Sequence, residues 1–328
     1  MAEILIALAI NSIVILAVMS IVSGAMVTGK TTENRQELAT DFGLLQNYFA
    51  REIPNAGGMS LPAESAFWVE DNCSTTRATS TTPLPVCDGS DRLTIVSSDV
   101  GPVCTISTWN TVTKQATFSF DPMDLTTCCL NSTPIAKSQV MFVNGYDFAQ
   151  LWVSGVDPTT CTATFSPGPM ATHNNTGALY NWKNGLIVPI KIDTFYREAE
   201  LFKRFTYKNG GLSSDGDAQT LADRMLDFQV ALGYDFNPAE GVIFDDGSSG
   251  DEWLYNAAGD VAGAGVFATL PRNSLRMISV GWIIGTAGAG QTAAKSASVL
   301  NGPVRSKAGY VVQAGSAKFG VRSVYVFD

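Results

Sequence analysis

Residues 1–58 read MAEILIALAINSIVILAVMSIVSGAMVTGKTTENRQELATDFGLLQNYFAREIPNAGG, and their reading decides the fold. After Glu3 no charge appears until Lys30. Ile4 to Val27 is almost wholly apolar and long enough to cross a bilayer as a helix, which takes about 20 residues. The pattern then changes without losing helical character. Leu38, Phe42, Leu45, Phe49 and Ile53 recur at spacings of four, three, four and four, which puts them on one helix face. Pro54, Asn55, Gly57 and Gly58 end the run. One helix of roughly 75 to 80 Å is expected, at about 1.5 Å per residue. Residues 1–27 are its apolar half, suited to lipid or other apolar helices. Residues 28–54 are an amphipathic continuation, suited to a globular head on one side.

Composition bounds the remainder, residues 59–328. The chain has 328 residues, of which 16% are charged, low for a soluble protein. Its 30 glycines and many Ser and Thr favour strands and loops over packed helices. A net charge of −9 excludes nucleic acid as a partner, since that needs a basic face. The six cysteines, Cys73, Cys87, Cys104, Cys128, Cys129 and Cys161, lie close together in sequence and outside the apolar run. An even count in a Thr/Ser/Pro-rich stretch reads as disulfides formed outside the cytoplasm. Adjacent Cys128 and Cys129 are expected to take different partners, because a vicinal bridge is strained. A Cys73–Cys87 bridge would close a loop of about fifteen residues, worth about 3 kcal/mol in the chain-entropy model. With one histidine and no C-x-x-C, the cysteines do not read as a metal site.

Short β-type runs follow: Arg92 to Ser97, Gln115 to Phe120, Gln139 to Val143, Phe148 to Ser154, Cys161 to Phe165, Gly185 to Arg197 and Leu201 to Tyr207. Asn144-Gly145 is a hairpin signal. Asp217 to Asp227 reads as a short helix or an extended connector, leading into a strand from Phe228 to Asp235. Such spacing predicts an antiparallel sheet, not alternating βαβ units. The fold class is α+β: a long N-terminal helix on a β-rich head, with a cysteine-rich part (59–170) and a distal part (185–328).

The head of the helix carries a further signal. No basic residue precedes the apolar run, which is also longer than the core of a secretory signal, so the pattern fits neither a cleaved signal nor an ordinary anchor with a basic cytoplasmic flank. A carboxylate at the end of an apolar helix is costly unless paired, and the helix N-terminal dipole favours it. With these features the run Glu3-Ile4-Leu5-Ile6-Ala7-Leu8-Ala9-Ile10 resembles the start of mature type IV pilins. Glu3 stands two residues nearer the start than that family places its glutamate. The distal part resembles PilW-type minor pilins in the order of its pieces: Gly210-Gly211-Leu212, Leu221-Ala222-Asp223, Phe228 to Asp235, Asp245 to Trp253, Leu275 to Val280, and a C-terminal strand from Val321 to Phe327. The resemblance implies a filament subunit that waits in the inner membrane of a bacterium. Pilus assembly machinery then draws it into an extracellular filament with other pilin subunits. It implies that Met1 is a methylated N-terminus and that Glu3 neutralises the N-terminus of a neighbour. Pilin helices often melt midway when packed, which the resemblance allows near Gly24 to Gly29, although no proline precedes Pro54. No cofactor is implied.

Two other candidate sites stand out. Asp245, Asp246, Asp251 and Glu252, with glycines between them, could supply hard oxygen ligands to Ca²⁺, and Asp235 could join if the loop folds back. The loop lacks the D-x-D-x-D-G alternation of an EF-hand, so a solvated turn is the simpler reading. A membrane-anchored adhesin or sugar-binding module using this acidic loop is the alternative function. His173 lies in a loop-like run with no nucleophile motif beside it, so the chain is not expected to be an enzyme.

Overall fold

A computed structural model describes residues 2–58, 61–73, 89–99, 103–119, 128–129, 139–145, 147–167, 180–207, 216–236, 243, 245, 251–257, 260, 274–287 and 295–321. The N-terminal segment is one helix, α1 (Ala2–Asn55). It runs unbroken through Gly24 and Gly29. Polar residues are accommodated inside it because their side chains return to the helix: Ser12 Oγ donates to the Leu8 carbonyl at 2.8 Å and Thr28 Oγ1 to that of Gly24 at 2.9 Å. Two glycines in left-handed conformation stop it, Gly57 (φ 75°) and Gly58 (φ 59°). At Gly58 a Cβ would fall 2.1 Å from Ser98 Oγ, so both conformation and space require glycine.

A single short turn of helix, α2 (Ala63–Ala66), leads into the strands. In chain order these are β1 (Phe67–Glu70), β2 (Arg92–Ser98), β3 (Cys104–Asn110), β4 (Gln115–Phe118), β5 (Gln139–Asn144), β6 (Asp147–Asp157), β7 (Thr162–Pro167) and β8 (Leu186–Glu198). Then come β9 (Leu201–Tyr207), β10 (Gly216–Ala222), β11 (Met225–Tyr234), β12 (Trp253–Leu254), β13 (Leu275–Ala287), β14 (Lys295–Ala297), β15 (Arg305–Lys307) and β16 (Tyr310–Gly320). Every pairing is antiparallel. The expected α+β architecture, a long helix on an antiparallel β-rich head, is what the chain forms.

β8 organises the head. Its first half, Leu186–Pro189, pairs with β5, and Leu186 and Ile187 also pair with β3. The pairings β8–β3–β4–β7–β6–β5–β8 close a ring, so six strands make a small barrel. Its interior holds Ile106, Phe118, Phe142, Val153, Phe165 and Trp182, all at most 2% exposed. Phe142 and Phe165 meet edge to face at 4.7 Å. The second half of β8 leaves the barrel, pairing with β2 on one side and β9 on the other. Beyond them an open sheet runs β12–β11–β13–β16.

The amphipathic half of α1 packs onto that sheet and onto β2, β8 and β9. Leu38, Leu45, Phe49 and Ile53 are at most 3% exposed, and Phe42 is half-buried. Phe49 is the hub: its ring lies 5.3 Å from Phe195, 6.1 Å from Phe202 and Phe228, and 6.3 Å from Trp282. Burying one such side chain contributes about 1.5–3 kcal/mol. Gly315 on β16 lets the helix approach, since a Cβ there would sit 2.5 Å from the Phe42 ring.

Two readings are sharpened, and a third lies outside the described residues. Of the two readings of residues 217–227, the helix does not form and the extended one does: they are β10, a turn at Asp223–Arg224, and the start of β11. Pairing with the edge of β9 satisfies that backbone, a non-local choice that local propensity does not carry. The run from Gln115 is strand over Gln115–Phe118, Ser119 has left it, and Phe120 lies outside the described residues. The last described strand is β16, ending at Gly320, and the expected strand over Val321 to Phe327 falls, beyond Val321, outside the described residues.

Candidate functional site

The first candidate is the free half of α1. The described side chains between Ile4 and Val27 stand clear of the head: Ile4 is 66% exposed, Leu16 68% and Ile21 72%. The helix is long and apolar enough to cross a membrane, and none of its most apolar window is buried. Glu3 lies in its first turn, exposed. Met1 lies outside the described residues.

Where this half meets the head, polar contacts fix the angle of exit. Arg224, at the β10–β11 turn with φ 57°, forms an ion pair with Glu37 and donates from Nη1 to Thr286 Oγ1 at 3.1 Å. Asn34 Nδ2 donates to the Ala287 carbonyl at 2.5 Å. The hydrogen bond from Arg224 holds the Glu37 carboxyl below its ordinary range, whereas burial holds Asp41 above it. Further along, Arg204 Nη1 donates to Tyr48 Oη at 2.8 Å. The helix is therefore seated by an aromatic core and steered by a few charged contacts.

Disulfides close the barrel mouth. Cys104 bridges Cys129 and Cys128 bridges Cys161, with Cα–Cα distances of 5.9 and 5.4 Å. The adjacent pair does take different partners. Cys73 is also disulfide-bonded, and Cys87 lies outside the described residues, as does His173. Disulfides together with an apolar N-terminal helix point to an oxidising compartment beyond a membrane.

The acidic loop lies at the far edge of the open sheet. It borders a cleft of about 480 Å³ lined by Asp235, Ile243, Asp245, Trp253, Arg276, Met277 and Lys318. Asp245 pairs with Lys318, whose Nζ sits 4.5 Å from the centre of the Trp253 ring. Arg276 Nε lies 3.7 Å from Asp235 Oδ2. Asp251 and Glu252 point elsewhere. Asp251 accepts from Trp253 N at 2.8 Å, and Glu252 accepts from Phe236 N at 3.0 Å. Asp246 lies outside the described residues. The acids read as one ligand set are thus engaged separately, each serving the loop or a cation. Among the described residues no three Asp, Glu, His or Cys side chains are grouped to hold a metal. Sequence reasoning missed Arg276 and Lys318, because strand positions far apart in the chain meet only through the register of β13 with β16.

No protein-family model, no curated protein and no solved structure matches this chain.

Proposed function

We propose that the chain is a structural subunit of a type IV pilus-like extracellular filament, held in the inner membrane by Ile4 to Val27 before assembly. The observation that carries this reading is the division of one continuous helix. Its second half is built into the head by Leu38, Leu45, Phe49 and Ile53, while its first half is apolar and wholly uncovered. An anchor alone needs no rigid continuation into the head. A spine does, because force and position must pass from bundled helices to the outer domain. Assembly gains from burying the exposed apolar side chains against those of neighbouring subunits, delivered by pilus assembly machinery. Glu3 at the head of the helix neutralises a neighbour's N-terminus, since an unpaired carboxylate in an apolar bundle is costly. The chain acts by assembly and carries no catalysis.

Glu3→Gln tests this. The variant is expected to stay in the membrane at normal abundance and to fall at least tenfold in sheared filaments. Incorporation at the unaltered level would sink the role assigned to Glu3. Copy number per filament then separates a tip subunit, of the PilW type, from a shaft subunit.

The cleft beside Trp253 favours a second reading, a membrane-anchored adhesin or sugar-binding module. It predicts surface or glycan adhesion that is lost in Arg276→Ala with membrane residence unchanged and no filament present.

A further inference from the structure

The helix itself fixes the height of the head above the apolar run. α1 is continuous from Ala2 to Asn55, so no linker separates the two. Asn34 Nδ2 donates to the Ala287 carbonyl at 2.5 Å, and Ala287 pairs with Tyr310. The end of β13 and the start of β16 therefore lie level with Asn34. Contacts further along keep that alignment: Gly315 lies against Phe42, and the Phe319 ring lies 6.5 Å from that of Phe49. Val27 and Asn34 are seven residues apart. That is about 10 Å of helix. A headgroup layer is about 5–7 Å thick on each side of the hydrocarbon core. With Val27 at the edge of that core, the lower end of the sheet comes within reach of the lipid phosphates for a lysine side chain. A loose connection would let the head float free, whereas a continuous, seated helix does not.

The chemistry of that end suits phosphate. Lys30 and Arg35 on α1 and Lys295 at the start of β14 are exposed. Lys307 Nζ stands 3.9 Å from the centre of the Tyr310 ring, next to the exposed turn residue Ala308. Acids near this end are paired with cations: Glu200 with Lys307, and Glu37 and Asp223 with Arg224. Glu33 on α1 is exposed and offsets one of the exposed cations. Residues 288–294, between β13 and β14, read GAGQTAA and carry no charge. This end is thus basic in a chain whose net charge is −9. Lysine and arginine with an interfacial aromatic is the composition that settles at a membrane surface. We propose that Lys30, Arg35, Lys295, Lys307 and Tyr310 form a second membrane contact, through which the underside of the head rests on the phosphates of an anionic phospholipid bilayer. The proposal rests on the reading of Ile4 to Val27 as a membrane span. The span holds the subunit in the bilayer, and the basic rim sets the tilt and rotation of the head on its surface. Its attraction is screened by salt.

Photo-crosslinking tests it. The full chain is reconstituted into vesicles of phosphatidylcholine, alone or mixed with phosphatidylglycerol. The photoreactive residue p-benzoylphenylalanine replaces Ala308, Leu16 or Val112 in turn, and phospholipid adducts are measured by mass after illumination. Leu16 lies in the apolar run, and Val112, 88% exposed, lies at the β3–β4 turn of the barrel. Adduct yield at position 308 is expected to exceed that at 112 about tenfold and to rise with phosphatidylglycerol content. Lys30→Glu combined with Lys295→Glu is expected to remove that rise. Ser296, exposed on β14, serves as a second labelling position in case the replacement at 308 disturbs its turn. Labelling at 16, with 308 and 296 no higher than 112, overturns the proposal and leaves the span standing. Absence of labelling at 16 overturns the span reading and the proposal with it. A yield at 308 that ignores phosphatidylglycerol, or that the double variant leaves unchanged, overturns the role given to the basic residues.

Discussion

The barrel and the helix-backed sheet are both antiparallel, yet they secure their cores by opposite means. In the barrel, β3 to β7 and the first half of β8 hydrogen-bond in a closed ring around their own side chains. Closure leaves no strand edge, and two disulfides tie the mouth. The open sheet β12–β11–β13–β16 has no such closure. Its inner face is completed by a helix from the other end of the chain, with Phe49 inserted among Phe195, Phe202, Phe228 and Trp282. One region is self-contained. The other exists only while α1 stays seated. Under the proposed filament role, this contrast ties the spine to the distal sheet rather than to the barrel.

Four measurements break or sharpen that contrast, each on the full chain in detergent. Phe49→Ala has the largest expected effect, a loss of about 3–5 kcal/mol in chemical denaturation. The Trp282 signal should be lost first, while barrel amides keep their hydrogen-exchange protection. Simultaneous loss of both regions would show that the barrel is not self-contained. Replacing Cys128 and Cys161 by alanine comes next, at about 2–4 kcal/mol. Here the order reverses: the barrel should open first, and the Phe49 cluster should hold.

Gly315→Ala follows, with about 1–3 kcal/mol lost as the new methyl meets the Phe42 ring. A Phe42→Ala background should recover most of that loss, and failure to do so would place the strain elsewhere. Smallest is Glu37→Gln at the ion pair with Arg224, with a loss of less than about 1 kcal/mol because the pair is partly exposed and screened. The sign with pH is defined. The folded Glu37 carboxyl titrates below its ordinary range, so its contribution is present above the unfolded pKa, about 4.3. It fades as pH falls through the lower folded value. The parent-minus-variant difference should therefore vanish in acid and shrink in salt, and a difference constant from pH 7 to pH 3 would contradict this.

Local interactions made much of the chain legible. The spacing of Leu38, Leu45, Phe49 and Ile53 marked the face that is buried, because helical periodicity is written within a few residues. Asn144-Gly145 marked the β5–β6 hairpin, where Asn144 pairs with Asp147 and Gly145 takes φ 63°. The vicinal cysteines announced separate partners. The acids of the distal loop were visible as a cluster, but not their division among Lys318, Phe236 N and Asn256, since those partners are set by how the loop folds back on β11 and β16.

By itself, then, the sequence determined the helix, its two chemically distinct halves, the oxidised cysteines and the antiparallel habit of the head. All of these follow from short-range periodicity, turn chemistry and composition. Only the tertiary structure decided that β8 serves two sheets, that β5 returns to it and closes a barrel, that residues 216–222 are a strand, and which cysteines pair. Those choices depend on hydrogen bonds and contacts between residues tens to hundreds of positions apart. Many strand pairings satisfy the same alternating pattern, and the one adopted is the one that fills both cores at once.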